Sequence, residues 1–136
     1  MSTPEFILDS VPDADALRAT VAQVMGVHPG EVGVVQSGGA VLHSGGPTSK
    51  RWPVCVMLAP TSGDFVLYVD VATREDLREF TLSDLTQLCV LLNASAFAFD
   101  ESDNPYTGFL VSRSGHVRAA VLQDTDSDQD VRLEPL

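Results

Sequence analysis

Two stretches of the chain carry apolar residues at the spacing of an amphipathic helix. Over residues 13–25 the spacing predicts a helix that Asp13 caps and that stops at Gly26, a residue suited to a left-handed C-cap. A second stripe predicts a helix that opens at Thr81, where the T-x-x-D pattern is a capping box. The same pattern at Thr73 predicts one further helical turn.

Runs of apolar or alternating residues predict strands around these helices. Residues 54–59 are apolar throughout, which is typical of a strand covered on both faces. Residues 65–71 alternate, with Tyr68 and Asp70 on one side. The five-residue turn between the two runs contains glycine and predicts an antiparallel hairpin. Shorter strands are predicted at 32–35, 41–43, 96–99, 108–113, 116–123 and 131–133.

The order of these elements predicts the architecture. A helix, about three strands, a second helix and two or three more strands indicate an α+β fold. We expect one domain over residues 1–136, with an antiparallel sheet of about five or six strands and two main helices packed on one face. The acidic residues in 124–130 predict a flexible, solvated segment.

Composition supports one folded domain and limits the partners. The chain has 136 residues, of which 44% are hydrophobic, so it can bury a core and is not intrinsically disordered. Its 19 acidic residues against 8 basic ones give a formal net charge of −11. This charge argues against nucleic acid as a partner and favours a basic protein.

Cysteine usage and targeting signals predict a cytoplasmic protein. Cys55 and Cys89 both lie in apolar runs, which indicates buried free thiols in a reducing compartment, although spacing alone leaves a disulfide between them open. The first residues lack the basic region of a signal peptide. Since no apolar run approaches the roughly 18 residues of a membrane span, we expect no membrane contact.

An Asp-rich run near the end of the chain resembles a calcium-binding loop only in part. The alternating acids Asp124, Asp126, Asp128 and Asp130 match its first four ligand positions. Gln129, however, stands where the loop needs glycine, and the twelfth position carries no glutamate. We therefore predict a solvated linker and no metal site, while the sequence leaves open whether these four acids bind a cation.

Signals for catalysis or cofactor binding are weak. His43 adjoins Ser44, but neighbours in a strand point to opposite faces. His28 and His116 lie in predicted turns, and residues 45–50 lack the spacing of a phosphate-binding loop. We expect no cofactor and no enzyme activity. A small hydrolase or transferase remains an alternative that requires a histidine beside a carboxylate or a nucleophile.

The strongest candidate site is an acidic loop before the last hairpin. Exposed carboxylates beside a tyrosine suit recognition of arginine and lysine on a partner protein. The predicted partner-binding residues are Asp100, Glu101, Asp103, Asn104 and Tyr106, followed by Asp70, Glu75 and Asp76 as secondary contributors.

Residues 88–122 resemble the C-terminal half of small acidic immunity proteins of bacterial toxin systems. The shared features are a Leu-rich helix, an acidic loop, Asn104-Pro105-Tyr106, the strand Phe109-Leu110-Val111 and the turn Ser114-Gly115. The resemblance implies a non-catalytic inhibitor that neutralises a basic toxin.

The chain is also similar to class I type III secretion chaperones in size, acidity and order of elements. That resemblance implies a homodimeric chaperone or adaptor that wraps an unfolded segment. The chain departs from this family at its end, where the Asp-rich segment and residues 131–136 replace a closing helix.

Overall fold

The computed structural model describes residues 2–36, 52–100, 102–124 and 130–134. The predicted strand at 41–43, the candidate residue Glu101 and the central part of the Asp-rich run lie outside these ranges. Among the described residues, no helix has both the length and the apolar character needed to cross a membrane.

Both predicted helices are present and end where the sequence indicates. They are α1 (Ala14–Met25) and α2 (Leu82–Leu92). Asp13 caps α1, and Thr81 forms a full capping box with the first turn of α2. Gly26 and Asn93 close the two helices in the left-handed conformation, with φ of 72° and 53°.

The described strands form a seven-stranded sheet and a separate two-stranded pair. The sheet has the order β2-β3-β5-β1-β6-β7-β8, and β4 pairs with β9. The α+β fold is confirmed, with more strands than expected and two parallel contacts among the described strands, between β2 and β3 and between β4 and β9. The strands are β1 (Glu5–Leu8), β2 (Val32–Gln36), β3 (Val54–Pro60), β4 (Ser62–Gly63), β5 (Leu67–Thr73), β6 (Ala96–Phe99), β7 (Thr107–Val111), β8 (Val117–Val121) and β9 (Asp130–Val131).

The additional strand β1 occupies the middle of the sheet. It pairs antiparallel with β5 on one side and with β6 on the other. Phe6, Ile7 and Leu8 are each at most 1% exposed. A four-residue strand buried on both faces shows no alternation, so its short apolar run carries little sequence signal.

The helices share one face of the sheet, as predicted. Leu17 and Val21 of α1 and Leu85 and Leu88 of α2 are fully buried in one cluster with the facing side chains of β1, β2, β3, β5 and β6. At roughly 25 cal/mol per Å² of apolar surface, this cluster is the largest source of stability in the fold.

A smaller apolar cluster lies on the opposite face of the sheet. Its buried members are Ile7, Phe65, Phe97 and Leu122. The Phe97 ring contacts Phe65 and Phe99 at centroid distances of 6.2 and 5.4 Å. The β3–β5 connection and the C-terminal segment 130–134 cover this cluster.

An ion pair joins the start of α2 to the end of α1. Arg78 donates from both terminal nitrogens to the Asp84 carboxylate, at 2.5 and 3.0 Å, and also to the carbonyl of Val24 at 2.8 Å. Burial opposes the charge on Asp84, but Arg78 and the hydrogen bonds from Thr81 hold its pKa below the usual range. Asp84 therefore both caps α2 and anchors it to α1.

The predicted helical turn at Thr73 is wrong. Thr73 is the last residue of β5, and the amide of Arg74 donates to the carbonyl of Pro53 at 2.9 Å. Asp76 does not complete a capping box, because its carboxylate accepts from the guanidinium of Arg74. Sheet pairing holds the backbone extended at the position where a helix would have to begin.

Both cysteines are buried free thiols on opposite faces of the sheet. Cys89 lies in the cluster beneath the helices, where burial, with a smaller effect from Asp9, raises its pKa to about 12. Cys55 lies on the face of β3 that points away from the helices.

The prediction that β3 is covered on both faces is wrong at Met57, which is 46% exposed.

Candidate functional site: an acidic surface beside the central strand

The sheet order brings the predicted acidic loop close to the central strand. β6 ends at Phe99, and the loop of residues 100–106 leads from it into β7. β1, which pairs with β6, carries Glu5. We use the name acidic surface for six residues at this end of the sheet, on β1, on β5 and in the loop: Glu5, Tyr68, Asp70, Asp100, Asp103 and Tyr106.

Two carboxylates stand directly opposite each other at the centre of this surface. Glu5 of β1 and Asp70 of β5 are cross-strand partners, so their side chains point to the same face. Tyr68, two residues before Asp70, shares that face, and its hydroxyl donates a hydrogen bond to the Glu5 carboxylate. Like charges directly opposite in a sheet destabilise the fold.

The electrostatics of these groups reflect that cost. Burial first, and then the charge of Glu5, raise the pKa of Asp70. Burial and the nearby charges of Glu5 and Asp70 raise the pKa of the Tyr68 hydroxyl far above its usual range. Burial, with a smaller effect from Asp70, likewise raises the pKa of the Cys55 thiol. Every shift is in the direction that opposes further negative charge.

No arginine within the described ranges pairs with Glu5 or Asp70. Four arginines there form ion pairs elsewhere, with Asp9, Asp76, Asp84 and Asp130. The two facing carboxylates are thus left without a cation from the described part of the chain. A positive group from another molecule would remove the repulsion between them.

A shallow cavity lies between Glu5 and the start of the acidic loop. It has a volume of about 310 Å³ and is lined by Ser2, Pro4, Glu5, Phe99 and Asp100. The cavity is large enough for the end of an arginine or lysine side chain, and its lining includes two acidic residues and one aromatic residue.

Hydrogen bonds within the acidic loop hold its shape. The Asp100 carboxylate accepts from the amide and hydroxyl of Ser102, which lowers the pKa of Asp100. The side-chain oxygen of Asn104 accepts from the amide of Tyr106 at 2.9 Å. The Tyr106 hydroxyl donates to Asp124 at 3.0 Å and thereby ties the loop to the end of β8.

These contacts divide the predicted loop residues by role. Asp100 and Asn104 organise the turn, while Asp103 is exposed and Tyr106 is 37% exposed, so both can contact a partner. Glu101 lies outside the described residues.

The secondary candidates separate in the same way. Asp70 lies within the acidic surface, next to Glu5. Glu75 and Asp76 lie in the exposed turn after β5, at the same end of the sheet as the loop but two strands away from β6. The Arg74 guanidinium, 2.6 Å from Asp76, holds the pKa of that carboxyl below its usual range.

Sequence reasoning missed Glu5 and the role of Tyr68. Glu5 became a candidate site residue only in the structure, because the pairing of β1 with β5 places it opposite Asp70. The sequence offered little signal, because the three consecutive apolar residues of 6–8 show no alternation.

Neither of the two described histidines, His28 and His116, belongs to the acidic surface. His28 accepts from the amide of Gly30 at 3.0 Å and caps a short 3₁₀ turn. His116 is exposed in the turn before β8, and His43 lies outside the described ranges. In the part of the chain that the structure describes, no three His, Cys, Asp or Glu side chains are grouped as a metal site would require.

Comparison with known proteins adds no assignment. No protein-family model, curated protein or solved structure matches the chain.

The carboxylate pair predicts that Asp70→Asn stabilises the protein at neutral pH. A raised pKa means that the folded state holds the Asp70 proton more tightly than the unfolded state, so stability falls as pH rises through the raised value. The substitution should increase the free energy of unfolding by about 0.2–1 kcal/mol at pH 7, the range for solvent-screened charge pairs. The gain should disappear below about pH 4, where the carboxyl is protonated in both states.

Urea unfolding of the Asp70→Asn variant at several pH values measures this effect. Glu79→Gln, which neutralises an exposed carboxylate in the segment before α2, is the matched control and should change little. A loss of stability on Asp70→Asn at pH 7 would show that Asp70 has a stabilising partner and would remove the basis for a strained carboxylate pair.

Proposed function

We propose that this protein is a non-catalytic module that binds a basic protein partner through the acidic surface, in the manner of an immunity-type inhibitor. The observation that carries the proposal is the Glu5–Asp70 pair. The fold places two carboxylates face to face at an energetic cost and supplies no cation to them from its described residues. An arginine or lysine of a partner would relieve that cost on binding.

The rest of the acidic surface supports the same function. Asp103 and Tyr106 project from a loop whose shape is already fixed by hydrogen bonds, so little conformational entropy is lost when a partner docks. Tyr106 supplies an aromatic anchor of the kind enriched at interface centres. The net charge of −11 would steer a basic partner towards the protein and speed the encounter.

The alternative functions have less support. A secretion chaperone or adaptor would be favoured by an exposed apolar stripe on the first helix, whereas Leu17, Val21, Val24 and Met25 of α1 pack into the core. A small hydrolase or transferase would be favoured by a histidine beside a carboxylate in a concave site, and neither His28 nor His116 lines the acidic cavity. The two unpaired thiols fit a cytoplasmic location.

The proposal is tested by partner capture with matched baits. The wild-type chain, an E5Q/D70N variant and a D15N/E79Q variant would be immobilised, and bound proteins from the native lysate identified by mass spectrometry. Both variants lose two negative charges, but only the first changes the acidic surface. We expect a basic protein whose affinity falls about tenfold or more on E5Q/D70N and changes little on D15N/E79Q.

The loop has its own test once that partner is known. Reversing two loop charges with E101K/D103K should slow association and weaken its dependence on salt, because steering acts on the encounter rate. Unchanged association would show that the loop is not part of the interface. Equal effects of E5Q/D70N and D15N/E79Q would show that net charge alone attracts the partner, and the acidic surface would then not be the binding site.

A further inference from the structure

The outer strand β8 has peptide groups that point away from the sheet. Ser112 donates to the carbonyl of His116, and Leu122 donates to the carbonyl of Tyr106, so the even-numbered residues of this strand face β7. The backbone groups of Val117 and Ala119 therefore point outwards. Within the described ranges no strand pairs with them.

The same edge already accepts a strand at its far end. The amide of Gln123 donates to the carbonyl of Arg132, and the amide of Glu134 donates to the carbonyl of Val121, both at 2.8 Å. The segment 132–134 thus extends the sheet antiparallel to the end of β8. The described part of this segment stops beside Val121, and among the described residues the first half of the edge has no partner strand.

Features that normally protect an edge strand are sparse along β8. Proteins guard such edges with proline, bulges and charged side chains. The five residues of β8 include no proline and no acid, although the chain has 19 acidic residues, and Arg118 is the one charge among them. Val117 and Val121 are 42% and 41% exposed on one face of this strand.

A second cavity lies along β8. It has a volume of about 410 Å³, and its lining includes Val121, Asp100 and Glu134, which the strand register places on one face of the sheet. Arg118 is the one positive group that lines it. Asp100 lines both this cavity and the one beside Glu5.

We propose that β8 takes an extended segment of the basic partner as an additional antiparallel strand. Side chains of that segment on the face shared by Val121, Asp100 and Glu134 would carry a positive charge towards these two carboxylates, and those on the opposite face would be apolar and lie beside Ala120. The basic character of the segment rests on the proposed function, whereas the added strand rests on the backbone geometry of the edge.

A second copy of the chain fits this edge less well than a basic segment does. Two molecules with a net charge of −11 repel each other. An antiparallel pairing of the two open edges that matched Val117 with Ala119 would also set Arg118 opposite the partner copy's own Arg118, and like charges in that position are destabilising.

Amide hydrogen exchange with a defined peptide tests the proposal. The probe is a blocked pentapeptide of alternating valine and arginine at millimolar concentration. We expect exchange at the amides of Val117 and Ala119 to slow about tenfold or more when the peptide is added. A peptide with N-methyl groups on its edge-facing amides should give no slowing, and a valine–glutamate peptide should give much less.

Each other result contradicts the proposal in an identifiable way. Slow exchange at Val117 and Ala119 without peptide would mean that this chain itself covers the edge. Equal slowing by the arginine and glutamate peptides would reject a basic segment. If the arginine peptide shifts NMR signals of Glu5 and Asp70 but leaves the β8 amides unprotected, the proposed function stands and the added strand is wrong.

Two variants of β8 distinguish backbone pairing with the peptide from the effect of the Arg118 charge. Ala119→Pro removes one outward amide from the edge, and it should abolish protection at Val117 by the arginine peptide. Arg118→Gln keeps the backbone unchanged and removes the positive group beside the cavity, so binding of the same peptide should be retained or strengthened. Loss of binding on Arg118→Gln would overturn the assignment of a basic segment.

Discussion

Replacing Phe97 by alanine is expected to destabilise the protein by about 3–5 kcal/mol, the range for large aromatic side chains in cores. Phe97 is fully buried, and its ring contacts Phe65 and Phe99. A Cβ at Gly108 would lie 2.8 Å from this ring, so the β7 backbone packs directly on it. The neighbouring rings and the β7 backbone limit how far the site can collapse after the substitution.

The loss of packing around Phe97 should also loosen the surfaces that we assign to partner binding. Phe97 supports the cluster that includes Leu122 and that the C-terminal residues Val131 and Leu133 cover. We therefore expect faster exchange of the Asp64 amide, which donates to the carbonyl of Val131, before global unfolding. Loosening there would also disturb the edge of β8, where segment 132–134 is paired.

Chemical denaturation measures the global cost, and Phe97→Leu is the matched control. Leucine keeps most of the buried volume and should cost clearly less, about 1–2 kcal/mol. A cost below about 1 kcal/mol for Phe97→Ala would mean that the second cluster contributes little to stability. The C-terminal segment would then need a different anchor.

Features set by local chemistry were predictable from the sequence. Asp13 and Gly26 mark the ends of α1, and Thr81 marks the start of α2, because capping depends on residues within one turn. The last hairpin was predictable for the same reason, since Gly115 takes a positive φ of 91° in its turn.

Features set by long-range pairing were not predictable in the same way. The capping pattern at Thr73 competes with pairing to β3, which the local sequence does not show. β1 is only four residues long, and its central place depends on contacts with β5 and β6 far along the chain. Whether segments distant in sequence meet is decided by the whole core, so a short pattern leaves it open.

The candidate site follows the same division. The acidic loop was visible as composition, and the structure shows which of its residues fix the turn and which face outwards. The Glu5–Asp70 pair was invisible, because a register between β1 and β5 creates it. A shift of one residue would send Glu5 to the opposite face and remove the pair. The functional proposal thus depends on register more than on the count of acidic residues.

The contact between Gly33 and Trp52 predicts a large effect from one methyl group. Trp52 is 6% exposed and precedes β3, and Gly33 lies in the neighbouring strand β2. A Cβ at Gly33 would fall 2.0–2.4 Å from three atoms of the indole ring. Atoms cannot approach so closely, so Gly33→Ala must displace the ring, at an expected cost of about 2–4 kcal/mol.

A double-mutant cycle tests whether this contact is the cause. In a Trp52→Ala background the added methyl meets no ring, and alanine is at least as good as glycine in a strand, so Gly33→Ala should cost about 0.5 kcal/mol or less. The coupling between the two positions should then be about 2 kcal/mol. Circular dichroism in urea serves all four proteins, because the Trp52→Ala variants lack the chain's single tryptophan.

Tryptophan fluorescence independently measures whether Gly33→Ala displaces the Trp52 ring. Since the chain contains one tryptophan, its emission reports on Trp52 alone. The buried indole should emit at short wavelength in the wild type, and Gly33→Ala should move the emission towards that of a solvated ring. An unchanged spectrum together with full stability would mean that β2 can shift to admit the methyl group. The glycine would then have no packing role, and β2 and β3 would pack less tightly than the contact between Gly33 and Trp52 indicates.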